Sequence, residues 1–402
     1  FWLKPSGSRI STQAPRHRAA MLLAMPQAVR PPSPRCPRGL SHGPASQCRK
    51  AKEGFKGFPE GGKRQRIAGA LVSALEKAKG KMDKLVKDSE GRTTANTSPP
   101  IGIVAHDATA RRAGDDWEVF IEAWIFRRNE DRHKRRLKMA QKVLAEGRHK
   151  IYNVDAKSQE RYEERARLVF RSLVFRGGED SRRLEAKFGS PDGEQSEWIP
   201  LPMETDTDGR VITSVKIPAA EMERVAKGEA NVPFKLRCVI PDRATPYASA
   251  SARLVEPKGF IVISDIDDTV KITEVYKGKD QVVRNTFFEE FLEVPGMGEI
   301  FQSWAKRDPG MSFHFVSNSP PQLMEPLREF MIKHDFPQAP LHLRPLRGKD
   351  RNIFKQKTIE AIMEQFPDRQ VALVGDSCEV DALIYSNLYK KYPGQVAQIV
   401  IR

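Results

Sequence analysis

The stretch that decides the fold is residues 260–269, FIVISDIDDT, where a short apolar run passes directly into acidic residues. Residues 260–264 are apolar without alternation, which is typical of a strand buried on both faces of a parallel sheet. Asp265 and Asp267 then leave the carboxyl end of that strand, where open α/β sheets bind ligands. Two carboxylates that face one pocket need a cation between them or a shared proton, and Mg²⁺ prefers such oxygen ligands. The alternative is an acidic turn that only closes the strand.

The sequence beyond residue 257 alternates short apolar runs with stretches of helical periodicity. Buried strands that alternate with helices predict a doubly wound α/β domain over residues 257–402. The predicted strands are residues 260–264, 313–316, 371–374 and 396–401, and the predicted helices are residues 298–306, 322–333, 354–366 and 380–389.

Three further segments place polar side chains at the same edge of this predicted sheet. Ser317 and Asn318 follow the second strand, and Lys355 opens the third helix. Asp376 and Asp381 follow the third strand and supply more carboxylate for a metal. A nucleophile, a hydroxyl, a lysine and metal-binding carboxylates at one edge predict a phosphoryl-transfer site.

These motifs resemble the haloacid dehalogenase superfamily of aspartate-dependent phosphatases, and more closely the actin-patch-type phosphatidate phosphatase family. The resemblance covers residues 98–402 and implies a haloacid-dehalogenase-like sheet. Only about 50 residues separate Asp267 from Ser317, so a large cap does not fit. The stretches that carry the closer likeness are residues 263–273, 316–320, 341–344, 366–367 and 375–377.

The resemblance also implies a role for each motif residue. Asp265 would be the nucleophile that becomes an aspartyl-phosphate, and Asp267 would protonate the leaving alkoxide and later activate water. The residues expected against the substrate phosphate are Thr269, which also holds the turn, Ser317, Asn318 and Lys355. The groups expected on Mg²⁺ are Asp265, the main-chain carbonyl of Asp267, Asp376 and, directly or through water, Asp381.

Two residues compete with these assignments, and three positions depart from the family pattern. Ser319 is the rival of Ser317, which is preferred because it directly follows the strand. Lys357 is the weaker rival of Lys355, because two positions along a helix point to different sides. The departures are Cys378, Pro321 and Ala382, which stand where the family usually has Gly, an aromatic residue and Pro.

The segments before residue 98 are basic. Residues 1–52 carry ten Lys or Arg and no acid, which predicts that residues 1–62 form a disordered Pro/Ser-rich tail. An organelle transit peptide is the alternative, and Pro31 to Pro34 have the spacing of an SH3-domain ligand. Residues 63–97 are predicted to be a basic amphipathic helix and linker, placed either on an anionic membrane surface or against the next domain.

Residues 98–256 are predicted to form an all-β, sandwich-like domain, because short Val-, Ile- and Phe-rich runs alternate with turn residues. A very basic helix over residues 132–144 is expected to interrupt it, either as a solvated face or as a docking surface for anions. The clearest predicted strands are residues 118–127, 168–175, 210–217, 233–240 and 248–255.

Charge and cysteine content limit the classes of function. The formal net charge of +16 favours anionic partners. The sequence contains no basic strand rich in aromatic residues of the kind that stacks on bases, so no nucleic acid partner is expected. The four cysteines contain no CxxC pair, which argues against a disulfide framework or structural zinc and for a reducing compartment. Apolar stretches fall short of the roughly 18 residues of a membrane span, so any membrane contact is expected to be peripheral.

We therefore predict a cytoplasmic, peripheral, Mg²⁺-dependent phosphatase that hydrolyses phosphatidic acid at anionic membrane surfaces, through an aspartyl-phosphate, to diacylglycerol and phosphate. The lipid substrate follows from the resemblance, and an uncapped site agrees with a headgroup that stands on a membrane. One alternative is a phosphatase of a soluble or protein phosphomonoester. Another is a non-catalytic adaptor for lipids or SH3 domains with a vestigial phosphatase fold, against which the intact Asp265, Asp267, Lys355 and Asp376 argue.

Overall fold

Two β-sheets organise the part of the chain that the structure describes. In the computed structural model of the 402-residue chain, this part comprises residues 101–127, 160–161, 181–240, 247–345, 353–377 and 380–402. All of these residues fall within one compact unit, residues 59–402. None of the helices in these ranges is long and apolar enough to cross a membrane. The predicted features that lie outside the described residues are the tail 1–62, the helix 63–97, the basic helix 132–144 and the strand 168–175.

The first sheet contains eight strands and confirms that the amino-terminal part of the described chain is rich in β-structure. Its hydrogen-bonded order is β1-β3-β2-β8-β7-β4-β5, with β6 on the other edge of β3. The strands are β1 (Ile101–Ala105), β2 (Ala108–Ala113), β3 (Asp116–Arg127), β4 (Leu184–Phe188), β5 (Ile199–Pro200), β6 (Arg210–Pro218), β7 (Asn231–Cys238) and β8 (Tyr247–Val255).

One helix departs from the all-β prediction for this region. Helix α1 (Ala219–Ala226) follows β6 directly and buries Met222 and Val225 in the core of the first sheet. These two residues lie three positions apart, so both fall on one helical face. The apolar spacing was present in the sequence, but it extends over barely two turns.

The second sheet has five strands, all parallel, in the order β11-β10-β9-β12-β13. This confirms the predicted parallel sheet over residues 257–402. Its strands are β9 (Phe260–Ser264), β10 (Ser312–Ser317), β11 (Leu341–Leu343), β12 (Gln370–Gly375) and β13 (Val396–Ile401). Its helices are α2 (Lys279–Val283), which continues as a π-helical turn (Arg284–Phe288), α3 (Met297–Arg307), α4 (Met324–Lys333), α5 (Phe354–Gln365) and α6 (Asp381–Lys391).

Helices cover both faces of the parallel sheet, which explains why its strands are apolar throughout. On one face the ring of Phe301 in α3 lies 5.7 Å, centroid to centroid, from that of Phe315 in β10. On the other face Ile359 of α5 and Tyr385 of α6 join the core that contains Ile263 of β9. The carboxyl ends of β9, β10 and β12 therefore open at one common edge between the two helical layers.

The guanidinium of Arg369, which is 1% exposed, fixes the connection between the two sheets. It donates hydrogen bonds to four main-chain oxygens, those of Glu256, Lys258, Phe260 and Gly310, at 2.5 to 2.9 Å. Gly259 lies under it with φ of +133°, and a Cβ atom at that position would approach Nη2 to 2.8 Å. The predicted domain boundary at residue 256 falls on this connection, and the separate folding of the two parts stays a prediction.

Replacing Arg369 by Met should destabilise the protein strongly. Four main-chain carbonyls would lose the hydrogen bonds from the buried guanidinium at once, and we expect the free energy of unfolding to fall by about 3 to 5 kcal/mol. Chemical denaturation of the full chain measures this. Arg183→Met is the matched control, because the Arg183 side chain is 82% exposed. Equal losses in both variants would contradict the role of Arg369.

Buried histidines lie where the two sheets meet. Nδ1 of His314 in β10 is 3.1 Å from Nε2 of His342 in β11. His106 lies between β1 and β2, with Nδ1 3.7 Å from Oε2 of Glu122, and Arg210 donates to Oε1 of Glu122 at 2.5 Å. Burial lowers the pKa of His106, takes the pKa of His314 well below its usual range and lowers the pKa of His342 to about 4. These histidines are therefore neutral in the folded protein near neutral pH.

Acid should weaken this contact before it protonates most carboxylates. The unfolded histidines bind protons near about pH 6.5, while the folded ones resist until lower pH, so stability falls as the pH drops from about 7 toward about 5. Thermal unfolding midpoints across that range measure the effect. The double variant His314→Asn, His342→Gln should show a flatter pH dependence, and a slope equal to that of the wild type would contradict the account.

Candidate functional site

The carboxylate of Asp265 occupies the centre of the common strand edge. Its main-chain N–H donates to the carbonyl of Val374 at 2.9 Å, which keeps the residue in register with β12 as β9 ends. Lys355 Nζ lies 2.7 Å from Oδ1, and Thr269 Oγ1 donates to Oδ2 at 3.1 Å. Asp265 and Lys355 are 1% and 2% exposed, so the pair is shielded from water. A buried carboxylate held between a cation and a hydroxyl has a fixed orientation.

Two further carboxylates lie beside Asp265. One oxygen each of Asp265, Asp376 and Asp381 lie within 4.8 Å of one another, and all three residues are buried. Gly375 permits this approach, because a Cβ atom there would lie 2.8 Å from the Tyr385 ring and collide with the Asp381 carboxylate. Lys355 also contacts Oδ1 of Asp381. Lys355 thus contacts two of the three carboxylates in this cluster.

The cluster fits a hard divalent cation. Oδ2 of Asp381 is buried and accepts no hydrogen bond from the described residues. Oxygen ligands in this number and of this charge match Mg²⁺. Burial raises the pKa of the adjacent Tyr385 hydroxyl well above its usual range, and the Asp381 charge adds to that rise. Asp265, Asp376 and Asp381 are therefore the side chains that would hold the ion, whereas the Asp267 carboxylate lies in a different set of contacts.

Asp267 accepts hydrogen bonds on both carboxylate oxygens. Thr273 Oγ1 donates to Oδ1 at 2.7 Å, and Lys271 Nζ lies 3.0 Å from the same oxygen. Ser317 and Ser319 each donate to Oδ2 at 2.8 Å. Burial raises the pKa of Asp267, but the Lys271 cation and the three hydroxyl hydrogen bonds outweigh burial and hold it well below its usual range. Asp267 is therefore ionised in this arrangement.

Asp268 shapes the turn that carries these residues. Its φ of +59° lies in the left-handed region, which Asp tolerates better than most residues. Its carboxylate accepts the main-chain N–H groups of Thr273, Glu274 and Val275 at 2.6 to 2.8 Å. Asp268 thus fastens the beginning of the connection between β9 and β10 to the turn that carries Asp265 and Asp267.

The structure brings most of the predicted site residues together. Asp265, Thr269, Lys355, Asp376 and Asp381 form one contiguous group of contacts. Ser317 contacts Asp267 instead, in the same way as its rival Ser319, so geometry does not separate these two serines. Asn318 lies half-buried at the end of β10, and Lys357 is exposed on α5. Pro321 begins a 3-10 turn before α4, Ala382 lies in the first turn of α6, and Cys378 lies outside the described residues.

Three residues of the site received no role from the sequence: Asp268, Lys271 and Thr273. All three lie in residues 268–273, directly after the acidic motif. Sequence spacing gave no signal for Asp268 and Thr273, because their contacts depend on a tight turn, with Asp268 at positive φ, that folds the chain back onto Asp267. A lysine four residues after an aspartate was the available hint.

Comparison with known proteins shows what this part of the chain is similar to. Residues 260–402 match the family described as "Phosphatidate phosphatase APP1, catalytic domain". The chain is 32% identical over 166 residues to the protein named Phosphatidate phosphatase APP1 of Saccharomyces cerevisiae, which covers 38% of this chain and 27% of that protein. An uncharacterised protein of Schizosaccharomyces pombe is 28% identical over 176 residues, which covers 42% of this chain and 29% of that protein.

These matches confirm, for residues 260–402, the resemblance to the actin-patch-type phosphatidate phosphatase family that was drawn from the motifs. The chain spans less than a third of the length of either curated relative. Among solved structures, wild-type OgpA from Akkermansia muciniphila aligns with 40% of this chain and 30% of its own, at 8% identity and a TM-score of 0.18. A TM-score this low carries no argument about fold or function.

The three clustered carboxylates predict that Mg²⁺ stabilises the folded protein. An ion that binds only the folded state at about 100 times its Kd adds about 2.7 kcal/mol of stability. We expect excess MgCl₂ to raise the thermal unfolding midpoint and EDTA to reverse the rise.

Replacement of one carboxylate should separate the stabilisation by Mg²⁺ from the charge repulsion among the carboxylates. Asp381→Asn relieves charge repulsion, so we expect the metal-free protein to be at least as stable as the wild type, while the increment from Mg²⁺ shrinks. Glu360→Gln serves as the control, because Glu360 pairs with Lys391 on the surface between α5 and α6. Equal increments in all three proteins would contradict a metal site at Asp381.

Proposed function

We propose that this chain is a Mg²⁺-dependent phosphatidate phosphatase of the haloacid dehalogenase type, with residues 260–402, which match the APP1 catalytic-domain family, as its catalytic part. The observation that carries the proposal is the convergence of Asp265, Lys355, Asp376 and Asp381 at the carboxyl edge of a parallel sheet, within the matching segment. That edge is where open α/β sheets bind ligands.

Asp265 is the nucleophile in this proposal. An oxygen of its carboxylate attacks phosphorus, the bond from phosphorus to the glycerol oxygen breaks, and the leaving alkoxide takes a proton from Asp267 to give diacylglycerol. Water then attacks the aspartyl-phosphate and gives its proton back to Asp267, so that phosphate leaves and Asp265 is restored. The balance of the reaction is phosphatidate plus water to diacylglycerol plus phosphate.

Lys355 and the strand-end polar groups hold the phosphoryl group. Lys355 Nζ already lies 2.7 Å from Oδ1 of Asp265, so it reaches a phosphoryl oxygen bound at that carboxylate. A bound Mg²⁺ supplies charge neutralisation between the anionic nucleophile and the anionic phosphate. Ser317 and Asn318 lie at the end of the neighbouring strand β10 and donate hydrogen bonds to the phosphoryl oxygens.

The two protonation states of Asp267 follow from its surroundings. The ionised, fully hydrogen-bonded carboxylate suits the step in which it accepts a proton from water. An incoming phosphate adds negative charge beside Asp267 and raises its pKa, which suits the step in which it donates. The same side chain thus serves both steps.

The segment between Asp267 and Ser317 supports an uncapped site. It contains one 3-10 turn, α2 with its π-helical extension, and α3, whose face packs on the sheet. No separate sheet or helical domain is built from these described residues. An open edge suits a headgroup at a membrane, and the basic segments over residues 1–97 and 132–144 would attract anionic lipid. We propose a peripheral location on this basis, a cytoplasmic compartment because the four cysteines contain no CxxC pair, and Pro31 to Pro34 as an SH3-domain ligand.

Substitution of the nucleophile tests the proposal. Phosphate release from vesicles that contain phosphatidate should require Mg²⁺, and Asp265→Asn should lose activity by several orders of magnitude, because an amide cannot attack phosphorus. Asp280→Asn, an exposed position on α2, is the control and should keep wild-type activity. More than about a tenth of the wild-type rate in Asp265→Asn would contradict the covalent mechanism.

The same assay with a soluble phosphomonoester separates the candidate substrates. Hydrolysis of phosphatidate well above that of soluble esters supports the lipid substrate. The reverse preference would favour a phosphatase of soluble or protein phosphomonoesters. Failure to hydrolyse either would favour a non-catalytic adaptor.

A further inference from the structure

The two oxygens of the Asp267 carboxylate have partners of different origin. Oδ1 contacts Thr273 and Lys271, which follow Asp267 within six residues on the same turn. Oδ2 accepts hydrogen bonds from Ser317 and Ser319, which lie at the end of a different strand. One oxygen is therefore held by the turn itself, and the other by the edge of the sheet that faces the phosphate site.

Lys271 is fixed in place by its surroundings. The side chain is 3% exposed, and Nζ lies 4.8 Å above the centre of the Phe291 ring. Nζ also contacts Thr273 Oγ1, and the Lys271 carbonyl accepts the N–H of Asp268 at 2.7 Å. These contacts hold the Lys271 ammonium group against Oδ1, so its charge acts on Asp267.

The partners of Oδ2 are free to change. Serine hydroxyls rotate and both donate and accept hydrogen bonds, and Ser317 Oγ already accepts the N–H of Ser319 at 2.9 Å. When a phosphate enters, these hydroxyls can turn to its oxygens and release Oδ2. Lys271 and Thr273, in contrast, contact each other as well as Oδ1, which holds both of them on that oxygen.

We propose that Lys271 is a positioning residue, which together with Thr273 fixes Oδ1 of Asp267 and leaves Oδ2 as the oxygen that exchanges protons with the leaving group and with water. This inference rests on the proposed function. With one oxygen fixed, the plane of the carboxylate is set, and Oδ2 points to the reacting atoms without a search among rotamers. Loss of that orientation costs rate and not substrate affinity.

The step that depends most on Asp267 provides the test. The aryl ester 4-nitrophenyl phosphate has a leaving group that needs little protonation, so the first step survives damage to Asp267, whereas hydrolysis of the aspartyl-phosphate does not. We expect Lys271→Met to release nitrophenolate in a burst of about one equivalent and then to turn over about 10- to 100-fold more slowly than the wild type, with KM unchanged or lower.

A conservative pair keeps the test informative if Lys271→Met folds poorly. Thr273→Val removes the other partner of Oδ1 and should give the same burst followed by slow turnover. Thr273→Ser keeps the hydroxyl and should recover most of the rate. Lys277→Met is the control for charge, because Lys277 is an exposed lysine on the same connection and pairs with Glu274. Its rates should equal those of the wild type.

Several results would overturn the inference. A burst and a steady rate that fall together, a raised KM with unchanged kcat, or equal rates in Thr273→Val and Thr273→Ser would each indicate a structural role only. A double-mutant cycle of thermal unfolding midpoints tests the contact without an activity assay. Lys271→Met should lower the midpoint in the wild-type background and lower it much less in the Asp267→Asn background. Additive shifts would refute the pairing. A wild type that hydrolyses no phosphomonoester but shows this coupling would refute the proposed function and leave the Lys271 contact standing.

Discussion

Compensation of negative charge at one edge of the parallel sheet is the constraint on which the rest of the site depends. Four aspartates, Asp265, Asp267, Asp376 and Asp381, are buried at that edge. Like charges at this spacing are tolerated only with cations among them or with a shared proton. Lys355 forms an ion pair with Asp265 in the carboxylate cluster, and Lys271 forms an ion pair with Asp267. A divalent ion at the cluster would complete the balance.

The fold supplies this constraint with rigid supports. Parallel strands buried on both faces bring Asp265, Ser317 and Asp376 to the same edge, although they are far apart in sequence. Helices α5 and α6 begin at that edge and carry Lys355 and Asp381 in their first turns. At the opposite end of the sheet Arg369 ties the strands to the β-rich part. Positions of the reacting groups are thus set by elements with buried cores.

Much of this arrangement could be predicted from residues 260–402, because buried parallel strands are recognisable as continuous apolar runs and the polar motifs follow directly at their ends. Strands β9 and β13 have the predicted bounds. Strand β11, with only three residues, and helix α1, with barely two turns, are too short for periodicity to show. The contacts of Asp267 with Lys271 and Thr273 were not predicted, because they depend on the turn at Asp268. The positive φ of Asp268 folds the chain back onto the Asp267 carboxylate, and sequence spacing does not show this.

Direct observation of the covalent intermediate tests the central claim. Phosphatidate can be mixed with the wild-type protein and Mg²⁺, quenched with borohydride during turnover, and digested for mass spectrometry. Reduction of an aspartyl-phosphate converts the aspartate to homoserine. The account predicts homoserine at position 265 and an intact aspartate at position 267. Turnover of phosphatidate without any modification of Asp265, or modification of another residue in its place, would contradict it.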